Sequence, residues 1–154
     1  MDKIVVLDFG SQYSHLICRR IRDFSVYAEL LPFDTSLENI NKLNPKGIIF
    51  SGGPSSVYDS DAPIPDEKIF QLHVPILGIC YGHQIIVNNF GGKIKHANKE
   101  YGSSVLTVDN DSDILNGIGN SVRAWMSHGD EAENVPEGFQ IIGHTESSRS
   151  AAIA

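Results

Sequence analysis

Several features that would place this chain in a class at once are scarce or missing. Only two cysteines occur among its 154 residues, Cys18 and Cys80, and they form no Cys-x-x-Cys pair. A disulfide framework and a cysteine-based metal site are therefore not expected. Basic residues are also few: 12 Lys and Arg face 19 Asp and Glu, a net charge of −7. That balance argues against a nucleic-acid partner, whose backbone must be neutralised by cationic side chains. No apolar run approaches bilayer length, so no membrane partner is expected. The opening residues, Met1-Asp2-Lys3, lead into a strand and lack the form of a signal peptide. Free cysteines without these signals predict a reducing, cytoplasmic setting. Repeats, low-complexity tracts and linkers are absent too, so residues 1–154 read as one domain with its own core.

What is present is an alternation of strand-like and helix-like segments. Lys3 to Asp8 is an apolar, β-branched run of the kind that forms a buried parallel strand. Ser11 is placed to cap a helix, on which Tyr13, Leu16, Ile17, Ile21 and Phe24 recur at helical spacing. Cys18 on that helix reads as packing, and Arg19, Arg20 and Arg22 suit the negative end of the helix dipole. Val26–Leu31 is a second strand, Leu37, Ile40 and Leu43 mark a short helix, and Gly47–Ser51 is a third strand. Residues 55–65 form a loop, and a short helix at 66–72 precedes the strand at Pro75–Gly78. This order predicts an α/β fold: a doubly wound, mostly parallel sheet with helices on both faces. After Gly91-Gly92 the pattern changes to strand-like runs at 105–108, 122–126 and 139–144, an antiparallel extension joined to the parallel sheet.

The most informative stretch is Gly78-Ile79-Cys80-Tyr81-Gly82-His83-Gln84, where a strand must turn sharply into a helix. Gly-x-Cys-x-Gly in that setting is the cysteine form of a nucleophile elbow. The glycines let strand and helix cross closely, and Cys80 stands at a helix N-terminus, which favours the thiolate. The Tyr81 N–H is aimed at an oxyanion forming beside the sulfur. Gly52-Gly53, at the end of the third strand, can supply the second donor. In a doubly wound sheet the turns at 8–11, 51–54 and 80 should converge on one edge.

A cysteine nucleophile needs a base, usually a histidine oriented by a carboxylate. His15, His73 and His96 (the last in a Lys-rich loop) are expected to be solvated. His83 points along the elbow helix away from the sulfur, and His144 closes a strand. His128, in what reads as a polar turn at Met126–Asp130, is the best local candidate, yet no complete triad is evident.

These motifs resemble those of the class I (triad) glutamine amidotransferases: Gly78 to Gln84, with Ser51-Gly52-Gly53-Pro54 upstream. Leu7 to Tyr13, Arg19 to Arg22, Ser55 to Tyr58, Glu100-Tyr101-Gly102 and Met126 to Asp130 narrow the likeness to the branch serving GMP synthetase. The resemblance implies that Cys80 attacks the glutamine carboxamide, releasing ammonia and leaving a glutamyl thioester that water hydrolyses. It implies an oxyanion hole from the Gly53 and Tyr81 N–H groups, and glutamine-binding roles for Gly52, Gln84, Ser127, His128 and Gly129. The binding role makes His128 less suited to act as the base. Ammonia would pass to an ATP-pyrophosphatase domain or subunit converting XMP to GMP; ATP and magnesium belong to that partner, and no cofactor or metal to this domain. The family's base and its carboxylate lie in a His-Pro-Glu motif beyond the strand begun near Ala151, and the sequence stops before it. The expectation is a domain truncated at its C-terminus, inactive as written. An inactive glutamine-binding or docking scaffold, or service to a different acceptor synthetase, are the alternatives. A further, weaker alternative is another elbow-cysteine hydrolase such as a DJ-1-like protein, but those tend to place histidine directly after the cysteine, where Tyr81 stands.

Overall fold

The computed structural model describes residues 2–111 and 113–154, with the side chains of residues 97–99 and 113 outside the described set. The chain divides into two compact units, Met1–Ile86 and Val87–Ala154. Among the described residues no helix is long and apolar enough to cross a membrane.

The first unit holds four strands, β1 (Lys3–Asp8), β2 (Tyr27–Pro32), β3 (Gly47–Phe50) and β4 (Ile76–Gly78). They pair in parallel in the order β2-β1-β3-β4. Val5, Val6 and Leu7 are all fully buried. Three consecutive buried residues point to alternate faces, so β1 is covered on both sides, as its unbroken apolar run requires. Because β2 lies to one side of β1 and β3 to the other, the connections diverge between β1 and β3. Crevices at such a switch point, beyond the carboxyl ends of the strands, are where open α/β sheets bind ligands.

Three helices accompany these strands: α1 (Ser14–Asp23), α2 (Leu37–Lys42) and α3 (Tyr81–Asn89). A 3₁₀ turn at Glu67–Gln71 stands where a short helix was expected, its first turn held by Asp66 accepting from the Lys68 N–H. Ser36 caps α2 through the Asn39 N–H. Ser11 does not cap α1, contrary to expectation: Tyr13 holds the N-cap position, and the Ser11 hydroxyl accepts from the Tyr13 N–H in a local turn. The buried stripe of α1 also differs from the apolar spacing. Ser14 and Cys18 are buried, whereas Tyr13 and Leu16 are largely exposed and Phe24 is 82% exposed. Cys18 packs with Val6 and Ala28, flanked by Ile17 and Ile21, in agreement with a packing role. Arg22 does more than face a helix dipole, since its Nε and Nη2 both donate to the Ala28 carbonyl, at 3.2 and 2.6 Å.

Helix α3 ends at Asn89, and Gly91 just beyond it, with φ +85°, takes the left-handed conformation that closes helices. The second unit is a sheet of its own, built from β5 (Lys93–Val108), β6 (Ser121–Asn134), β7 (Ile141–His144) and β8 (Ala152–Ile153). These strands are antiparallel in the order β6-β5-β7-β8. The antiparallel half is thus present as expected, but as a separate sheet dominated by two strands of 16 and 14 residues. Its apolar core gathers Leu106, Leu115 and Ile142.

Candidate active site

The turns after β1, β3 and β4 converge in the first unit, as the strand order demands. The register pairs Leu7 with Phe50 and Phe50 with Gly78, so the three strands end together. Contact between the turns is closest where side chains are smallest. A Cβ on Gly53 would lie 2.3 Å from the Phe9 carbonyl oxygen, and one on Gly52 would lie 3.3 Å from the Cys80 Cβ. Gly53 can only be glycine here, and Gly52 runs directly against the cysteine. Ser51, fully buried, ties the first two turns together. Its hydroxyl accepts from the Phe9 N–H and donates to the Gly52 carbonyl, both at 2.9 Å.

Cys80 adopts φ +51°, a left-handed conformation that is rare and costly for a residue with a side chain. The crossing that imposes it needs glycine on both flanks. A Cβ on Gly78 would lie 2.5 Å from the Gly82 backbone, and one on Gly82 would lie 2.4 Å from the Phe50 carbonyl oxygen. The Gln84 N–H donates to the Cys80 carbonyl at 3.1 Å, so α3 begins immediately at the cysteine. This is the geometry of a nucleophile elbow.

The resting thiol differs from expectation in one respect. Cys80 is half-buried, and burial pushes its pKa above the ordinary thiol value, against the lowering expected from the helix N-terminus. Desolvation penalises the thiolate, so the neutral thiol dominates near neutrality and a base must remove its proton. Alkylation of Cys80 by iodoacetamide should therefore accelerate with pH and still be rising at about pH 8.5, the ordinary cysteine pKa. A rate that levels off below about pH 7.5 would contradict the raised pKa.

Tyr81, next in sequence, is buried and stacks edge-on against Phe9, with ring centroids 5.9 Å apart. Its hydroxyl donates to the Pro63 carbonyl at 3.0 Å, anchoring the 55–65 loop to the start of α3. Burial, with a contribution from the Asp59 charge, pushes that phenol up to about 12, so it remains a donor. Gln84 is buried one turn further along α3.

Ser127, His128 and Gly129 lie in the second unit, in the interior of β6 and not in a turn as expected. Their cross-strand partners explain the difference. Ser127 pairs with Tyr101 and His128 with Glu100, while Asp130 pairs with His96, so an irregularity between His96 and Glu100 absorbs Gly129. His96 therefore stands on β5, not in a loop; it is exposed and 2.6 Å from Asp130. The His128 Nε2 lies 3.2 Å from Glu100, whose carboxylate also accepts from Ser104 at 2.6 Å and Thr145 at 3.2 Å. His128 Nδ1 is buried with no hydrogen-bond partner among the described residues. His144 pairs with Asp109 at 2.8 Å, and His15 and His73 are exposed, as expected. Ser51 and Glu100 are the polar residues whose roles residue patterns miss; both sit inside motifs that the sequence displays, and only their partners reveal what they do. Among the described residues no group of three or more His, Cys, Asp or Glu side chains could hold a metal ion.

A parallel sheet whose strand ends present a cysteine elbow beside a Gly-Gly turn is the scaffold of a cysteine-dependent acyl-transfer site. The chain belongs to the class-I glutamine amidotransferases, whose sequence model matches residues 5–154. It is 56% identical over 155 residues to a glutamine-hydrolysing GMP synthase of Lactobacillus acidophilus, covering 99% of this chain and 30% of that protein. A glutamine-hydrolysing GMP synthase of Rippkaea orientalis is 53% identical over 152 residues, covering 98% of this chain and 28% of that protein. The chain thus spans less than a third of the curated relatives it matches. A crystal structure from Thermoplasma acidophilum, described as one subunit of a GMP synthase, superposes with a TM-score of 0.90 at 27% identity, covering all of this chain and 78% of that one. A glutamine amidotransferase of Thermotoga maritima shares the fold, with a TM-score of 0.76 at 16% identity over 99% of this chain and 73% of that one.

Proposed function

We propose that residues 1–154 form the glutamine-hydrolysing part of a GMP-forming synthetase. The observation that carries this reading is the placement of Gly52 against Cys80 at a left-handed elbow. Cys80 Sγ, once deprotonated, adds to the carboxamide carbon of glutamine, and the carbonyl electron pair moves onto oxygen. The N–H groups of Gly53 and Tyr81 receive that oxyanion. Collapse breaks the carbon–nitrogen bond, and the nitrogen takes up a proton and leaves as ammonia. Water then hydrolyses the glutamyl thioester to glutamate and restores the thiol. Gly52, Gln84, Ser127, His128 and Gly129 keep the substrate-binding roles that the family likeness gives them.

Ammonia passes to a synthetase domain or subunit, which uses ATP and magnesium to aminate XMP; the glutaminase step itself requires neither. The likeness to GMP synthases over nearly the whole chain supports this acceptor. Two free cysteines are in keeping with a cytoplasmic setting. The raised Cys80 pKa gives the base particular weight. In the family that base belongs to a His-Pro-Glu motif, which these 154 residues do not contain. The 154-residue chain alone should therefore release little glutamate. Glutamate release from a longer chain carrying the motif, with and without Cys80→Ala, tests the reading. Unchanged release in the variant would refute it.

A further inference from the structure

We infer that Ser51 is a positioning residue that sets the Gly52–Gly53 peptide so that its N–H can serve as an oxyanion donor. The inference deepens the proposed function and rests on it. Ser51 is fully buried at the end of β3, and its hydroxyl has two engagements. One lone pair accepts the Phe9 N–H at 2.9 Å, which leaves the hydroxyl hydrogen for the Gly52 carbonyl, also at 2.9 Å.

The second bond matters for chemistry because the Gly52 carbonyl and the Gly53 N–H belong to one planar peptide unit. In a trans peptide these groups point in opposite directions. Holding the carbonyl on Ser51 therefore turns the Gly53 N–H away from Ser51 and the sheet end. No peptide bond of the described chain is cis. Two adjoining glycines have little steric preference of their own, and this peptide could rotate between them at small cost. The Gly53 side is clamped against Phe9, where a Cβ would lie 2.3 Å from the carbonyl oxygen. Phe9 is in turn fixed by Ser51 and by rings at Phe50 and Tyr81, 5.4 and 5.9 Å away. The serine hydroxyl is thus the group that selects one orientation of an otherwise permissive peptide beside Cys80.

The test compares two electrophiles on Cys80 in the 154-residue chain, with Cys18→Ala as background so that one thiol reacts. A chloromethyl ketone analogue of glutamine is attacked at its carbonyl, and an oxyanion forms before chloride leaves. Iodoacetamide is displaced at a saturated carbon and forms none. Ser51→Ala should slow the ketone at least about tenfold, the scale of losing one oxyanion donor being about 100-fold or more. Iodoacetamide labelling should change less than about twofold, because the thiol itself is not altered. Ser51→Thr, which keeps the hydroxyl, should retain most of the ketone rate. If Ser51→Ala does not fold, Ser51→Thr and Ser51→Val, nearly equal in volume, carry the same comparison. Equal slowing of both reagents, or no slowing of either, would overturn the assignment. A parent chain that reacts no faster with the glutamine analogue than with chloroacetone would overturn the glutamine-site reading itself, and is distinguishable because it needs no Ser51 variant.

Discussion

Cys80→Ala, made in a chain that carries the His-Pro-Glu segment, is expected to abolish glutamate release. Removing the nucleophile of a triad from other hydrolases lowers kcat by about a millionfold, and the residual rate comes from binding and the oxyanion hole alone. The geometry here leaves no obvious substitute. Cys18, the other thiol of the chain, is packed with Val6 and Ala28 in the first-unit core. Stability should change little, because alanine removes only a sulfur from a half-buried site, although it retains the strained φ of +51°. The measurement is glutamate release under saturating glutamine, with the unfolding midpoint as control. A variant that folds yet keeps more than about one-hundredth of the parent rate would place the chemistry elsewhere.

Gly82→Ala should be strongly destabilising even though it falls within a helix. Two effects oppose each other. Alanine in place of glycine improves helix propensity by about 1 kcal/mol. Against that, its Cβ would lie 2.4 Å from the Phe50 carbonyl oxygen and 2.6 Å from the Phe50 Cβ. Phe50 cannot withdraw, because β3 is paired with β1 on one side and β4 on the other. Overpacking typically costs about 1–3 kcal/mol and more where, as here, the obstacle is paired backbone that cannot shift, so the clash outweighs the propensity. Gly91→Ala is the useful comparison: it has open space but φ +85°, so it carries only the left-handed penalty of about 1–2 kcal/mol. Urea unfolding should rank Gly82→Ala below Gly91→Ala. A stabilised Gly82→Ala would mean that helix and strand do not cross as described.

How much of this could be read from residue order follows from the range over which each feature is determined. The first four strands and the elbow are local. Val5, Val6 and Leu7 announce burial, and Gly78, Cys80 and Gly82 announce a turn, within a few residues of chain. The apolar positions of α1 mislead because helical spacing counts Tyr13, Leu16 and Phe24 as core, whereas the tightest packing against Val6 and Ala28 goes through Cys18. β5 and β6 show only as fragments. Their polar stretches, such as Lys93-Ile94-Lys95-His96 and Ser127-His128-Gly129, are held by cross-strand pairing and not by propensity. Gly129 looks like a turn signal because the irregularity that absorbs it lies on the partner strand. Ser51 and Glu100 hold nearby partners, Gly52 and Ser104, but each also reaches one 42 or 45 residues distant, Phe9 or Thr145, which the local pattern does not show. The candidate nucleophile is therefore legible, and the long-range hydrogen bonds within each unit are not.

Everything proposed for Cys80 requires that it stand in a site that binds glutamine. That requirement is tested most directly by the rate at which a glutamine-like electrophile labels Cys80, with and without excess glutamine. Labelling should be faster than with a reagent lacking the amino-acid end, and should fall as glutamine occupies the site. Labelling indifferent to glutamine, in a chain shown to be folded, would contradict it.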